Sequence, residues 1–464
     1  MQTPEHILSD NGPLAELISD FSSRPQQIEL AETIEQAFIN QESLICEAGT
    51  GTGKTFAYLV PALLSGAKVI VSTGTKHLQD QLYLRDLPLV HKSLGVAVNV
   101  ALLKGRANYL CLHHLNLSES ENRYLDKKSV SHLMDIREWA QHTQHGDLAE
   151  LSHIPEDASV RSVVTSTTEN CLGQECDYYD KCHLFRARHH ANDADLVVVN
   201  HHLFFADLAL RDQGYGELLP TADMVIFDEA HQLPDLASMF FSQTVSSRQI
   251  LELLQDSKAA YYEEAADLPD FLEILDRVEK SVRDLRLAFG RNEQRVGWSE
   301  IKDKPEITES FTELMDRNHD LHTALDAFAE RGKSLDNCYK RVANILNMLD
   351  SYNESGSVEF IQWLEIRGAG FLLHQTPLDI AETFQSRMRE YNCQSVYTSA
   401  TLTVNNNFKH FASQLGLSEV KSRSWDSPFN FKKQALLYLP QAMPDPREQG
   451  YTEEVVERAL PVLT

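Results

Sequence analysis

The sequence predicts an α/β protein built on a parallel sheet, and three observations carry that reading. Short apolar runs of strand length alternate with helical periodicity through the first part of the chain. A Gly/Thr-rich loop joins one such run directly to the helix after it. Two further buried-strand runs, Asp195–Asn200 and Met224–Phe227, return later, the second followed at once by acidic residues. Strands separated by helices need crossover connections, and crossovers make neighbouring strands parallel.

The elements follow in order. Residues 25–40 carry Ile28, Leu30, Ala31, Ile34, Ala37 and Phe38 at helical spacing. Leu44-Ile45-Cys46 is a short strand, and a helix is expected over Thr55–Leu64. Lys68–Ser72 is a second strand, and Leu78–Leu87 a second helix. The rhythm stops over 106–190, which is rich in Cys and His and poor in strand signals. Helical periodicity dominates 236–398, where Lys, Arg, Asp and Glu sum to about −10. Strand character returns near 358–373 and at Ser395-Val396-Tyr397, and Val455–Val462 reads as a helix.

Composition narrows the class. At 464 residues the chain has room for about three domains. With 42% apolar and 24% charged residues it is neither disordered, collagenous nor a coiled coil. Its 42 Lys and Arg against 68 Asp and Glu leave −26, which excludes a non-specific nucleic-acid coat. If the chain binds nucleic acid, it must do so through a local basic groove. No apolar run reaches the ~18 residues of a membrane span, and Met1-Gln2-Thr3-Pro4-Glu5-His6 has neither part of a secretory leader. A cytoplasmic protein with reduced thiols and no membrane partner is expected.

Three motifs carry chemistry. Ala48-Gly49-Thr50-Gly51-Thr52-Gly53-Lys54-Thr55 follows a strand and opens a helix, the context of a phosphate-binding loop. Its glycines let backbone N–H groups converge on phosphate oxygens, Lys54 reaches the β- and γ-phosphates, and the Thr55 hydroxyl suits Mg²⁺. Ala48 stands where the pattern usually has Gly. Asp228-Glu229-Ala230-His231 sits at the C-terminal end of its strand, the edge where parallel sheets bind ligands. Asp228 suits Mg²⁺, and Glu229 suits the orientation and deprotonation of an attacking water. Ser399-Ala400-Thr401 follows the last strand.

In this order the three resemble motifs I, II and III of the superfamily 2 helicases. The resemblance implies an ATP-driven motor on nucleic acid with RecA-like P-loop NTPase domains. It also implies that Arg24 and Gln27 of Arg24-Pro25-Gln26-Gln27 read adenine, and that His231 couples the nucleotide site to Ser399, Ala400 and Thr401. Thr73, Gly74 and Lys76 stand where such motors touch the DNA backbone.

Cysteines narrow the family further. Of seven, Cys111, Cys171, Cys176 and Cys182 fall in one window with the spacing C-x59-C-x4-C-x5-C. Zinc sites use tighter pairs, whereas one distant ligand suits an iron–sulfur cluster. A [4Fe–4S] cluster, zinc and unmetallated thiols are the three readings. Cys46, Cys338 and Cys393 read as core residues. The placement, with the lead-in Arg106-Ala107-Asn108-Tyr109-Leu110, resembles the XPD-like iron–sulfur helicases. The bacterial DinG/YoaA branch is nearer still, through Leu103-Lys104-Gly105-Arg106, Val199-Asn200-His201-His202-Leu203, Phe227–Asp235 and Ser427-Pro428-Phe429-Asn430-Phe431.

That resemblance implies ATP, Mg²⁺ and a [4Fe–4S] cluster as cofactors. Single-stranded DNA and forked or overhang DNA are the implied partners, together with replication or repair proteins, and the implied unwinding is 5′-to-3′. It assigns 1–105, 191–235 and 386–402 to the first motor domain, 106–190 to an iron–sulfur domain and 236–385 to a mostly helical Arch-like insertion. Residues 403–464 are assigned to the incomplete start of a second motor domain. No Q-x-x-G-R-x-x-R string follows Leu402, so this chain alone is expected to bind ATP and turn it over poorly. Arg106, Arg186 and Arg188 are candidate DNA contacts, the last two on a patch, 181–190, that either grips phosphates or is a solvated face. Tyr109 reads equally as a base-stacking ring and as packing. Eleven of nineteen histidines lie between 113 and 202 and read as surface and groove residues.

Overall fold

A computed structural model describes residues 3–120, 127–168, 170–211, 218–264, 270–290, 292–353, 360–446, 448 and 450–463. Seven parallel strands form the main sheet: β1 (Leu44–Ala48), β2 (Val69–Thr73), β3 (Val100–Leu102), β4 (Leu196–Asn200), β5 (Met224–Asp228), β10 (Gln394–Ser399) and β11 (Lys421–Trp425). The other four, β6 (Gln243–Ser246), β7 (Arg295–Gly297), β8 (Phe360–Arg367) and β9 (Gly370–Pro377), form a separate antiparallel sheet in the order β6-β9-β8-β7.

The main sheet runs β11-β1-β10-β5-β2-β4-β3. Its strands read as continuous apolar runs because both faces are covered. Leu44, Cys46, Val69, Val71, Leu196, Val198, Met224, Ile226 and Val396 point into one core. Their neighbours Ile45, Ile70, Val197, Val199, Val225, Phe227 and Tyr397 point into the other. That alternation is the pleat. Helix Pro25–Asn40 has Pro at its first turn, where no intrahelical N–H is needed, and packs on helix Lys54–Leu64. The expected helix Leu78–Leu87 is longer: Lys76–Gln81 runs through a π-helical stretch, Leu82–Asp86, into Leu87–Leu94.

The described part of 106–190 has its own small core of Leu110, Leu133, Ile136, Leu148, Leu151, Ile154, Val160 and Val164. It contains helices and turns and no named strand. Lys104 ties this unit to the parallel-sheet domain. Its buried ammonium lies 2.9 Å from Asp80 on the sheet-domain side and 2.9 Å from Asp147 on the insertion side.

The insertion after β5 is built from helices Ser247–Glu264, Phe271–Ala288, Pro305–Asp326 and Lys333–Asn353 on the antiparallel sheet. Helix Phe271–Ala288 buries Phe271, Leu275, Val278, Val282 and Leu285, one stripe at helical spacing. The segment 236–385 is mostly helical, and the structure adds β6 and β7, which the sequence did not mark. β6 is Gln-Thr-Val-Ser and offers a single apolar side chain; β7 is three residues long.

Two assigned boundaries shift. Helix Ile380–Tyr391, capped by Asp379 accepting from Glu382 N–H at 2.8 Å, already belongs to the core of the parallel sheet, where Phe384, Met388 and Tyr391 are buried. And β11, placed by the sequence in the start of a second domain, pairs with β1 as the edge strand of the first. Lys-Ser-Arg-Ser-Trp carries almost no apolar pattern because an edge strand on the rim has little to bury.

Candidate active site and nucleic-acid groove

The phosphate loop leaves the C-terminal end of β1 and turns through Gly51 (φ +86°) and Gly53 (φ +83°), a backbone region that disfavours side chains. Gly53 lies against the Gln27 amide, which donates to Gly53 O at 2.9 Å. Arg24 Nη1 donates to Gly51 O at 2.5 Å. Arg24 and Gln27 are thus gathered at the loop. Lys54 Nζ lies 3.5 Å from Ala48 O, and Thr52 Oγ1 donates to Gly49 O at 2.6 Å. Thr50 O accepts from Ser427 Oγ at 2.7 Å, Trp425 O accepts from Gly49 N–H at 3.0 Å, and the Phe429 ring lies beside Gly51. The segment after β11 therefore lies across the loop, a contact that no local pattern announced.

Asp228 ends β5 and is buried. Burial first, and then the neighbouring Glu229 charge, push its carboxyl up to about 6, against the Lys54 charge and a hydrogen bond. That bond comes from the buried Tyr58 hydroxyl, which donates to Oδ2 at 3.0 Å. Thr55, Tyr58 and Asp228 are thus neighbours, since Tyr58 sits one turn beyond Lys54 on the loop's own helix. Burial, reinforced by Asp228, holds the Tyr58 hydroxyl protonated.

Glu229 adopts the left-handed conformation (φ 57°, ψ 42°), costly for a residue with a side chain and typical of functional turns. The turn swings His231 toward the last central strand. His231 Nδ1 is 2.9 Å from Ser399 Oγ, and Ser399 Oγ lies 3.4 Å from Glu229 Oε2. Ala400 and Thr401 follow in the same loop, with Thr401 N–H donating to Ser399 Oγ at 3.4 Å. A residue outside the motifs joins them. Glu47, at the end of β1, accepts from Leu402 and Thr403 N–H at 2.5 and 2.6 Å and from Thr403 Oγ1 at 2.9 Å.

Beside this site runs a groove of about 2110 Å³. Its walls are the loop after β2, the insertion 106–190 and helix Ser247–Glu264. Lys76, Lys104, Arg106, Arg161, Arg188, Arg248 and Lys258 line it, against Asp80, Glu156, Asp157, Glu252, Asp256 and Glu263. Seven cations to six acids is a nearly neutral wall in a chain of −26. Gly74 and Lys76 are on it, with Lys76 3.2 Å from Glu156. Thr73 is not: it is buried, and its hydroxyl faces Thr75 O and Val199 O. Arg186 does not line the groove either. Tyr109 is buried and accepts from Lys104 N–H at 3.1 Å, which is packing rather than stacking on a base.

The four clustered cysteines line a single cavity together with Arg106, Tyr109, His113 and Phe185. None is in a disulfide. Burial raises the Cys111 thiol to about 11 and also raises that of Cys176. Arg106 Nη1 is buried without a hydrogen-bond partner, and Arg188, close to Cys171 and Cys182, is lowered to about 10 by burial and by Arg106. Among the described residues no group of three or more His, Cys, Asp or Glu is arranged to hold a metal ion. Four thiols line one cavity with guanidinium groups packed beside them, a donor set that suits a negatively charged group held through thiolates.

Comparison with known proteins decides the family. The profile of the DEAD/DEAH box helicases matches residues 24–135. The chain is 40% identical over 459 residues to the ATP-dependent DNA helicase YoaA of Haemophilus influenzae, covering 99% of this chain and 72% of that protein. It is likewise 40% identical to YoaA of Escherichia coli, over 98% of this chain and 71% of the relative. The chain belongs to the YoaA/DinG family of ATP-dependent DNA helicases. A solved XPD helicase aligns with 89% of the chain and 63% of its own, at 14% identity and a TM-score of 0.47. Within the family, the α/β motor carries the phosphate loop, the Asp228–Glu229 pair and the Ser399 loop at one sheet edge, as ligand-binding parallel sheets do. Lys104 and Ser427 stand in strings that carry the family resemblance, where neither was given a role, and Glu47 and Tyr58 were given none. A lone acid ending an apolar strand is a sequence signal for Glu47.

Proposed function

We propose that the protein hydrolyses ATP to move 5′-to-3′ along single-stranded DNA and to open forked or overhang duplexes in replication or repair in the cytoplasm. The observation that carries this reading is the meeting of Lys54, Asp228, Glu229, His231 and Ser399 at one sheet edge beside a groove of about 2110 Å³. The phosphate loop and Lys54 hold the β- and γ-phosphates, and Arg24 and Gln27 flank the loop on the adenine side. Thr55 and Asp228 would hold Mg²⁺, which neutralises phosphate charge when bound. Glu229 orients the attacking water and takes its proton. His231 and Ser399 sense the state of that carboxylate. Gly74, Lys76, Arg106 and Arg188 are the DNA contacts this reading places on the groove.

Cys111, Cys171, Cys176 and Cys182 would hold a [4Fe–4S] cluster. What supports it is the single cavity they line and the Arg106 side chain beside it, whose Nη1 is buried. When bound, the cluster supplies a rigid cross-link between Cys111 and the distant trio, close to the groove.

ATP hydrolysis by the chain, with and without single-stranded DNA, tests the motor reading. DNA-stimulated turnover that Lys54→Ala abolishes supports it; binding of both ligands without turnover overturns it.

A further inference from the structure

We infer that Glu47 is the positioning residue through which the phosphate loop sets the Ser399–Thr403 loop and makes the single-strand groove responsive to bound ATP. It rests on the reading of the chain as an ATP-driven DNA motor. Glu47 is bonded in sequence to Ala48, the first residue of the phosphate loop, and pairs in register with Ser399 across β1 and β10. Its half-buried carboxylate is saturated from one side only: Oε2 takes the Leu402 and Thr403 N–H groups, and Oε1 takes the Thr403 hydroxyl. Both donating residues lie directly downstream of Ser399-Ala400-Thr401. The loop is therefore held at two points, by Glu47 at its far end and by His231 and Glu229 through Ser399 at its near end.

From the near end the contact continues to the groove. Gln232 follows His231, and its side-chain amide lies where a Cβ on Gly74 would come within 2.7 Å. Gly74 lines the groove. A shift of the phosphate loop moves the end of β1 with Glu47. Glu47 then displaces the Ser399 loop against His231, and Gln232 transmits the displacement to Gly74. The charge of Glu47 alone is not the point. Two acceptor oxygens at fixed positions are, because they register the loop to the strand that carries the nucleotide site.

The test is thermodynamic linkage rather than turnover. The affinity of labelled oligo(dT) is measured by anisotropy with and without Mg²⁺ and a non-hydrolysable ATP analogue, and analogue affinity is measured separately. Wild-type protein is expected to change its oligo(dT) affinity by about fivefold or more on binding the analogue. Glu47→Ala is expected to bring that factor to within about twofold of one while analogue affinity stays within about threefold of wild type. Glu47→Gln is expected to keep most of it, since its amide oxygen accepts both N–H groups and its amide nitrogen donates to Thr403. Wild-type protein that binds neither ligand refutes the motor reading itself. Wild-type protein that binds both without coupling, or Glu47→Ala that couples like wild type, or Glu47→Gln as uncoupled as Glu47→Ala, overturns the role of Glu47. If Glu47→Ala does not fold, Thr403→Val decides. It removes the partner of Oε1 and is expected to lower the coupling factor by about half, and an unchanged factor overturns the proposal.

Discussion

Asp228 combines a stability cost with the Mg²⁺-binding role proposed for it. Its buried carboxyl is raised to about 6, above the ordinary value near 3.8 that it regains on unfolding. Between those two values the folded state binds more protons than the unfolded one. Stability therefore falls as pH rises from about 4 to about 6 and stays lower above it. Asp228→Asn removes that contribution. Without Mg²⁺, the melting temperature of the variant relative to wild type is expected to climb between pH 5 and pH 7, and a difference that does not vary with pH would contradict the assignment. If Asp228 holds Mg²⁺ as proposed, adding Mg²⁺ reverses the sign, because the ion binds the charged form. The Tyr58 hydroxyl on Oδ2 shows how the site keeps this carboxylate aimed, and it was invisible to motif reading because Tyr58 looks like one more apolar position on its helix.

At the scale of elements, the insertion 106–190 is a small unit with a core of its own, tied to the motor at Lys104. Its ammonium is raised above the usual lysine value: burial lowers it, and Asp147 and Asp80 more than offset that. Lys104→Ala leaves two carboxylates facing each other without their cation. Asp80 is a third exposed, so the loss is discounted to about 2 kcal/mol from the 3–5 of a fully buried pair. The expected result is faster hydrogen exchange across 106–164 with the exchange of β2 and β5 unchanged. Global destabilisation spread evenly over both units would show that Lys104 does not serve as the joint. β6, β7 and β11 went unannounced because they are short or edge strands with few apolar residues, so neither period nor hydrophobicity marks them. β3 went unannounced for its length, three apolar residues on the sheet edge.

Across the whole molecule, a body of −26 carries a groove with seven cations and six acids. Binding of a single strand must be local, and three to five phosphate contacts give a log–log salt slope of about −2 to −4. Lys258, exposed on the far wall, is expected to carry one of them, so Lys258→Ala lowers the slope by about 0.7. A slope near zero in oligo(dT) titrations from low to moderate salt would exclude the groove as the binding surface. Several groove cations already face acids, Lys76 with Glu156 and Arg248 with Glu252, which keeps the empty groove nearly neutral and lets a strand compete for them.

The order of the chemistry was legible in the chain itself. The glycine-rich loop, the Asp228–Glu229 pair, the Ser399 loop and the Cys171–Cys182 trio are short strings marked by residue type and spacing. Such marks act over a few residues, so they can be read locally. What only the tertiary structure decided is which of these strings touch. Glu47 and Leu402 are 355 positions apart, and Thr50 and Ser427 are 377 apart. Such pairs meet because the parallel sheet places β1 between β10 and β11, an arrangement set by packing on both faces. Neighbours in a sheet obey the burial of whole faces, and no pattern within one segment records which distant strand completes it.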